Sequence, residues 1–192
     1  MGLDQPLRDL VFADPMRAVG AGVNGGLYRT VDAGRTWHLA PGTEGLPITH
    51  VARSGGILVA VGPGFYRWSD TAGRRWIAAE AETSCEPTWM TTVDESVLLG
   101  CAGGDLSVSN DHGRTWHSVE TPLDFEQVFQ IGDEGNWMAL GTDGSTYFVS
   151  TDRGTNWVES NAWTSAPVER LSVSEAGVAL LTEDGSLGVL RP

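Results

Sequence analysis

The stretch that decides the fold is SNDHGRTW, residues 109–116, because three other segments repeat its pattern. The repeated segments are TVDAGRTW (30–37), SDTAGRRW (69–76) and STDRGTNW (150–157). Their last residues are Trp37, Trp76, Trp116 and Trp157, which lie 39, 40 and 41 residues apart. The chain is therefore built from a repeat of about 40 residues.

Each repeat also carries short apolar runs around a glycine turn, such as ILVAVG at 57–62 and WMALG at 137–141. No stretch of ten residues has the apolar spacing that is typical of a helix. Short strands separated by turns about every ten residues indicate an all-β fold. In the second repeat we predict strands A, B and C at Ile48–Ala52, Ile57–Val61 and Phe65–Ser69, with strand D beginning at the tryptophan.

A unit of about 40 residues with four short strands is one blade of a β-propeller. We predict a single propeller domain, residues 1–192, of about five four-stranded blades. The predicted repeats are 9–47, 48–87, 88–125, 126–166 and 167–192. The last repeat stops before its expected tryptophan, so we expect an incomplete last blade whose edge strand is Leu187–Leu190. Such an edge can pair with a second chain, which makes a homodimer possible.

Composition narrows the classes of partner. The 192 residues include 12 Arg, no Lys and 25 Asp or Glu, for a net charge of −13. This excess of acidic residues excludes a predominantly basic surface of the kind that binds the phosphates of nucleic acids. Apolar residues make up 41%, enough for a packed core. There is no apolar run of about 18 residues that could span a membrane and no secretory signal pattern, so we expect a cytoplasmic protein without membrane or nucleic-acid partners.

The repeated pattern Ser/Thr-x-Asp-x-Gly-x-Thr-Trp resembles the Asp-box, or BNR repeat, of sialidase-like β-propellers. The third copy matches fully, whereas the fourth has Asn156 in place of Thr. The second copy has Thr71 in the Asp position and Arg75 in the Thr position. The resemblance covers nearly the whole chain and implies a structural role for Asp32, Gly34, Trp37, Gly73, Trp76, Asp111, Gly113, Trp116, Asp152, Gly154 and Trp157.

The chemistry of this motif is local. A short carboxylate accepts hydrogen bonds from amides of its own turn, and glycine supplies a positive φ. The tryptophan then packs between sheets. Because the same residues recur from blade to blade, we interpret them as stabilising the hairpin rather than as catalytic groups or cation ligands.

The resemblance also provides a test for an enzyme. Sialidases of this kind use an arginine triad, a Tyr–Glu nucleophile pair and an Asp acid/base, with the first arginine in an Arg-Ile-Pro-like motif. This chain has Arg8 in PLRDL and lacks that motif. We assign no catalytic residues and lean against an enzyme. The alternative is a glycoside hydrolase of the sialidase or xyloglucanase kind, which needs two carboxylates about 5–9 Å apart.

In this family, ligands are bound by the D–A and B–C loops around the central axis. The corresponding D–A loops of this chain carry acidic residues and one tryptophan: Glu44, Glu80, Glu82, Glu120, Asp124, Glu159 and Trp163. We predict a non-catalytic binding scaffold that presents an acidic axial face to a protein or carbohydrate. Trp163 is equally compatible with a ligand contact and with a cover over the blade interface.

Metal and thiol chemistry are not expected. The histidines form no HExxH pattern, and two cysteines are too few for a four-ligand zinc site. We therefore expect no metal and no cofactor. Cys101 lies in a predicted strand B, so we interpret it as a buried strand residue in preference to a disulfide partner of Cys85.

Overall fold

A computed structural model of the chain describes residues 3, 5–83, 85–121, 124–131, 135–143, 146–160, 168–174 and 177–190. All regular structure in these residues is β-strand, as predicted from the turn spacing. This part of the chain contains no helix that is long and apolar enough to cross a membrane. Two compact units can be distinguished, 1–102 with 106–118, and 103–105 with 119–192.

The first unit contains two four-stranded antiparallel sheets and most of a third sheet. Sheet I consists of β1 (Leu7–Phe12), β2 (Ala18–Gly22), β3 (Leu27–Thr30) and β4 (His38–Leu39). Sheet II consists of β5 (His50–Ser54), β6 (Ile57–Gly62), β7 (Phe65–Ser69) and β8 (Ile77–Ala78). Sheet III consists of β10 (Pro87–Val93), β11 (Ser96–Cys101), β12 (Leu106–Ser109) and β13 (Thr115–Val119), with β9 (Glu80–Ala81) added beside β13.

The second unit contains the two remaining sheets of the described residues. Sheet IV consists of β14 (Phe125–Gln130), β15 (Trp137–Gly141), β16 (Tyr147–Ser150) and β17 (Val158–Ser160). Sheet V consists of β18 (Val168–Ser174), β19 (Gly177–Thr182) and β20 (Leu187–Leu190). Apart from β9, which lies parallel to β13, the strands of each sheet are neighbours in chain order, because every turn between them is short enough to join adjacent strands.

Two strand boundaries differ from the prediction. Strand A of the second repeat is β5 and begins at His50, because Ile48 belongs to the preceding loop, where its amide donates to the Leu46 carbonyl. The fourth strands of sheets I, II and IV begin one residue after the motif tryptophan, at His38, Ile77 and Val158. In sheet III, in contrast, Trp116 lies within β13.

The core lies between successive sheets of the first unit. Val19 and Leu27 of sheet I pack with Val51 and Leu58 of sheet II, and all four side chains are at most 5% exposed. The next layer joins sheets II and III and contains Val59, Val61, Tyr66, Leu99 and Trp116. In the second unit, Phe129, Met138, Leu140 and Tyr147 form a core within sheet IV.

Candidate functional site

The four motif turns connect the third and fourth strands of sheets I to IV. Each turn places two successive residues in the left-handed region, for example Ala33 (φ 58°) and Gly34 (φ 85°). The second of these positions is glycine in all four turns, with φ between 75° and 85°. Glycine adopts this conformation without steric cost, which explains its place in the motif.

The third copy shows how the carboxylate is used. The Asp111 carboxylate accepts hydrogen bonds from the Thr115 amide at 2.9 Å and the Thr115 hydroxyl at 2.8 Å. It also accepts the Ser109 hydroxyl at 2.8 Å and the Arg114 amide at 3.0 Å. Ser109 in turn accepts the Gly113 amide at 2.7 Å. The side chain of Asp111 is thus the centre of a closed network within its own turn.

The first and fourth copies repeat this arrangement. In the first, Thr36 donates to Asp32 through its amide at 2.8 Å and its hydroxyl at 2.6 Å. In the fourth, Asn156 replaces the Thr and donates to Asp152 through its amide at 2.8 Å and its side-chain amide at 2.6 Å. Asn therefore performs the same task as Thr at this position.

The hydrogen bonds hold the motif carboxyls in their charged form. The Thr36 hydroxyl and amide lower the pKa of Asp32 to about 2. For Asp111, burial acts to raise the pKa, but the hydrogen bonds from Thr115 outweigh it and leave the pKa below its ordinary value. The pKa of Asp152 is lowered in the same way, with the Asn156 hydrogen bonds outweighing burial.

The second copy shows the consequence of losing the carboxylate. The Thr71 hydroxyl accepts the Arg75 amide at 2.9 Å, and Ser69 still accepts the Gly73 amide at 3.1 Å. The turn therefore keeps its conformation, although the single hydroxyl oxygen of Thr71 replaces the two oxygens of a carboxylate. The Trp76 indole nitrogen is buried without a hydrogen-bond partner, whereas the indoles of the three other motif tryptophans donate to the glycine carbonyl of their own turn.

The motif tryptophans differ in how much of the core they build. Trp116 is 2% exposed and its ring lies 5.4 Å from that of Tyr66 in sheet II. Trp157 packs edge-on against Phe125 at 4.8 Å. The carboxylates of three of these turns are thus hydrogen-bonded within their own turn, and the rings of Trp116 and Trp157 pack against other aromatic side chains.

The predicted ligand-binding residues lie at different places. Glu44 is exposed in a tight loop after β4, which is anchored by the buried Thr43 hydroxyl through bonds to the Leu27 amide at 3.0 Å and the Ala40 carbonyl at 2.8 Å. Glu44 therefore projects from a fixed backbone and is available to solvent.

Glu80 and Glu82, predicted to lie in a D–A loop, are instead on the outer edge of sheet III. The Glu80 amide donates to the Arg114 carbonyl at 2.9 Å, and the Glu82 amide donates to the Trp116 carbonyl at 3.2 Å. These bonds form the short parallel strand β9 beside β13. No sequence pattern indicates this pairing, because the two strands are more than thirty residues apart and β9 is only two residues long.

The remaining candidates belong to the second unit. Glu120 is exposed in a loop. Glu159 is also exposed, but it lies on β17 opposite Phe148 and not in a D–A loop as predicted. Asp124 is also exposed, but its carboxylate packs against Gly104, and its carbonyl accepts the Thr142 amide at 2.9 Å. Asp124 therefore has a local structural contact. Trp163 lies outside the described residues.

The candidate carboxylates do not combine into a metal site. Among the residues that the structure describes, no three His, Cys, Asp or Glu side chains are grouped closely enough to hold an ion. The exposed candidate carboxylates lie instead on separate loops and on the short strands β9 and β17.

Cys85 and Cys101 form a disulfide, contrary to the interpretation of Cys101 as a free buried residue. Their Cα atoms are 5.1 Å apart because Cys101 ends β11 opposite Pro87, and Cys85 lies just before β10. The Ala102 amide also donates to the Glu86 carbonyl at 2.9 Å. The sequence spacing does not indicate this pairing, because Cys85 lies nine residues before Asp94 of the β10–β11 turn whereas Cys101 lies six residues after Glu95.

The disulfide and β9 together fix one segment onto sheet III, which we call the strap and define as residues 79–83 with 85 and 86. Its start is bonded to β13 and its end is covalently joined to β11. Cys85 is 5% exposed and packs in the core layer with Tyr66 and Trp116. The strap therefore covers the core between sheets II and III.

No family model and no curated protein matches the chain. Solved structures do match it. YCF48 from Cyanidioschyzon merolae is 18% identical, with a TM-score of 0.67 over 100% of this chain and 68% of that one. A structure of YCF48 bound to D1 peptide is 20% identical, with a TM-score of 0.61 over 100% of this chain and 72% of that one.

Two further matches show how widely the fold is shared. The GH74 enzyme of Niastella koreensis is 19% identical, with a TM-score of 0.58 over 96% of this chain and 29% of that one. The β-propeller domain of Cps50 (Swd1) from Myceliophteria thermophila is 10% identical, with a TM-score of 0.70 over 99% of this chain and 72% of that one. At these identities the likeness concerns the fold alone, and the fold of this chain is that of a β-propeller.

Proposed function

We propose that the protein is a non-catalytic propeller scaffold of the Asp-box type whose exposed loops bind a protein partner. The observation that carries this proposal is that the three motif carboxylates, Asp32, Asp111 and Asp152, are engaged by their own turns. The repeated residues thus build a rigid frame, and loops on a rigid frame are where binding residues are usually found.

The match to a YCF48 structure with a bound peptide supports a protein as the partner class, since it shows that a propeller of this general fold holds a peptide. The five sheets are consistent with five blades, of which the first four carry the motif and the last has no fourth strand in the described residues. The exposed carboxylates of Glu44 and Glu120 in loops and of Glu159 on β17 favour a cationic or polar segment of that partner. Carbohydrate is the other ligand class that such a surface can accept.

The test is binding of a lysine-rich 15-residue peptide, measured by fluorescence anisotropy against an acidic peptide of equal length. We expect the basic peptide to bind and its Kd to rise with salt, since the attraction is between exposed charges. The double variant Glu120→Gln, Glu159→Gln should weaken binding several-fold. A glycan array run in parallel reports carbohydrate binding.

The matched control is Glu80→Gln, Glu82→Gln, which removes the same charge from the outer edge of sheet III. We expect this variant to bind the basic peptide as the parent does. Equal losses in both double variants would show that net charge rather than a site is responsible, and absence of binding to every peptide and glycan would contradict the scaffold proposal.

Glycoside hydrolysis is the second candidate, favoured by the fold likeness to a GH74 enzyme. It requires two carboxylates placed on either side of a bound sugar. Turnover of fluorogenic sialosides or glucans by the purified protein, lost on substitution of a loop carboxylate, would establish it in place of the scaffold.

The disulfide has a consequence for the cellular compartment in which the protein is expected. Disulfides persist in oxidising compartments and are rare where glutathione keeps thiols reduced. We therefore propose an oxidising location rather than the cytoplasm that we expected from the sequence. Rapid alkylation of intact cells tests this, because a protein in a reducing compartment would carry two labelled cysteines.

A further inference from the structure

Four arginine side chains lie where sheets I and II pack together, at the end of the sheets that carries the motif turns. We call this place the arginine seam and define it by Arg17 and Arg29 of sheet I and Arg53 and Arg74 of sheet II. In each sheet the connection from the first to the second strand lies at the same end as the motif turn, because the four strands alternate in direction. Both sheets belong to the first compact unit, so the whole seam lies within that unit.

Arg29 is fixed in place by the fold. It pairs directly with Val19 across β2 and β3, and Val19 packs in the core that sheet I shares with sheet II. Directly paired residues of an antiparallel ladder lie on the same face, so Arg29 is on the face that packs against sheet II. Its Nε donates to the Ala72 carbonyl in the motif turn of sheet II at 2.8 Å. This hydrogen bond holds a half-buried guanidinium between the two sheets.

Arg74 belongs to the same motif turn and follows Gly73. A Cβ added at Gly73 would lie 2.4 Å from the Val19 side chain and 3.7 Å from Cδ of Arg29. The motif turn of sheet II therefore lies directly against sheet I, and the side chain of Arg29 runs across it. Arg74 is exposed beside this contact.

The other two arginines come from the connections between first and second strands. Arg17 directly precedes β2 and lies two residues before Val19. Arg53 lies two residues after Val51 on β5, on the face of sheet II that packs against sheet I, because alternate residues of a strand share a face. The Nε of Arg53 donates to the Gly55 carbonyl at 2.7 Å, which keeps its guanidinium at the turn.

Carboxylates do not balance the positive charge of the seam. Arg17 forms an ion pair with Asp14. Within the part of the chain that the structure describes, the other three arginines of the seam form no ion pair. Four arginines with Asp14 and the exposed Asp70 of the motif turn leave a charge of +2 at this place, in a chain whose net charge is −13.

Arg29 also has hydrogen-bond donors that are not used. A guanidinium has five N–H groups, and Arg29 uses only its Nε in a bond to the described residues. Burial lowers the pKa of Arg29, and the positive charges of Arg17 and Arg74 lower it further. The fold thus holds like charges together around a half-buried guanidinium with free terminal nitrogens. A cluster of this kind is typical of a binding site for an anion.

The next seam of the same unit, between sheets II and III, shows that the fold does not require these arginines. The positions that correspond to Arg17, Arg29 and Arg53 carry uncharged residues there, namely Ile57, Trp68 and Thr92. The fourth position keeps an arginine, Arg114, whose guanidinium lies 4.9 Å from the centre of the Trp68 ring. A seam of the same construction is therefore held together by aromatic packing, so the repulsion in the arginine seam is not a requirement of packing.

A phosphate group fits the arginine seam in charge and in geometry. A phosphomonoester carries close to two negative charges at pH 7 and has three acceptor oxygens that point in different directions. Guanidinium groups bind such oxygens through pairs of parallel hydrogen bonds. A carboxylate has one charge and two oxygens in one plane, so it would leave part of the seam unpaired. A long polyanion such as a nucleic acid would extend beyond the seam onto a chain of net charge −13.

We propose that the arginine seam binds the phosphate group of a phosphomonoester. Arg29, which is held on sheet II by its bond to Ala72, donates through its terminal nitrogens, and the arginines of sheet II add donors from the opposite side. The seam is at the end of sheet I opposite Glu44, which follows β4, so this site is additional to the acidic loops of the proposed function. A phosphorylated side chain of a partner protein and a small phosphate compound offer the same group.

The test is isothermal titration calorimetry at constant ionic strength with three probes, which are inorganic phosphate, a short phosphoserine peptide and the same peptide with unmodified serine. We expect phosphate and the phosphopeptide to bind, the unmodified peptide not to bind, and phosphate to displace the phosphopeptide. A phosphopeptide that binds about tenfold or more tightly than inorganic phosphate would identify a modified protein segment as the source of the group. Equal affinities would identify a small phosphate compound.

Variants of the seam locate the site. Arg29→Gln and Arg74→Gln should each raise the Kd for the phosphopeptide about tenfold or more, because each removes charge-assisted hydrogen bonds. Arg74 is exposed, so its variant provides the test if Arg29→Gln does not fold. Arg29→Lys should also weaken binding, since an ammonium group keeps the charge but lacks the planar fork.

The matched control is Arg35→Gln, which removes the same charge from the motif turn of sheet I. That turn lies outside the seam, since a Cβ added at Gly34 would meet only the indole of Trp37. We expect Arg35→Gln to bind the phosphopeptide as the parent does.

Three results would overturn the proposal. The first is that neither inorganic phosphate nor the phosphopeptide binds to the parent. The second is an equal loss of binding in Arg35→Gln and Arg74→Gln, which would show an effect of net charge. The third is equal binding of a peptide with glutamate in place of phosphoserine, which would assign the seam to an acidic protein segment. Binding of the basic peptide should be unchanged in Arg29→Gln, so a failure of this proposal can be told from a failure of the proposed function.

Discussion

Removing the Cys85–Cys101 disulfide tests how the strap stabilises the first unit. The bridge joins residues 16 apart. Closing a loop of that length removes about 10 cal/mol/K of entropy from the unfolded chain, equivalent to about 3 kcal/mol at 25 °C. We expect the variant Cys85→Ser, Cys101→Ser to lose that stability. In a domain of this size the melting temperature should fall by about 6–12 °C.

The assay is urea unfolding followed by tryptophan fluorescence, with and without dithiothreitol. Reductant should shift the parent to the midpoint of the double variant and leave the double variant unchanged. Hydrogen exchange gives a local readout. The Glu80 and Glu82 amides, which donate to sheet III, should exchange faster in the variant, whereas amides of sheet I should not change until global unfolding.

The reasoning would be refuted by equal unfolding midpoints for the parent and the double variant. It would also be refuted if thiol titration of the native, unreduced protein found two free cysteines. A loss of stability without faster exchange at Glu80 and Glu82 would show that the bridge constrains the unfolded chain but does not hold the strap in place.

Four further predictions concern the motif turns and the charge. Trp116→Ala should cost about 3–5 kcal/mol in a urea melt, because it empties a core layer, and parent-like stability would disprove that role. Thr71→Asp should raise stability by about 1 kcal/mol, because a carboxylate can accept the Arg75 amide and pair with its side chain, and a lower midpoint would contradict this. The pKa values of Asp32, Asp111 and Asp152 are lowered, that of Asp32 to about 2, so their contribution to stability is present above the ordinary carboxyl pKa of about 4 and is lost as pH falls through the lowered values; urea midpoints should decline in that acid range and less steeply in Asp111→Asn. Because the net charge is −13, we expect no shift of duplex DNA in a gel at moderate salt. A tight complex with DNA would contradict this expectation.

The motif turns and most strands could be predicted because their interactions are local. Asp111 and its partners Ser109 and Thr115 lie within seven residues, so spacing alone specifies the hydrogen bonds. The all-β fold follows from the same turns. The replacement of Thr by Asn156 leaves the network intact because both side chains can donate to the carboxylate.

The candidate site was less predictable. The sequence identified carboxylates in predicted loops, but the position of a loop in the sequence does not determine on which surface of the molecule its side chains lie. Glu80 and Glu82 lie at the outer edge of sheet III because their backbone amides bond to β13. The carboxylate of Asp124 packs against Gly104. The disulfide depends on a register shift at Pro87 that no local pattern encodes.

The sequence by itself determined the net charge through its composition, and it determined the repeat, the turn chemistry and the order of consecutive strands because these depend on residues near one another in the chain. The tertiary structure decided which apolar residues are covered. Leu27 and Leu187 occupy the same place in their sheets, yet one is buried and the other is 72% exposed. The difference is the presence or absence of packed atoms against that face, and burial is a property of the neighbours rather than of the residue.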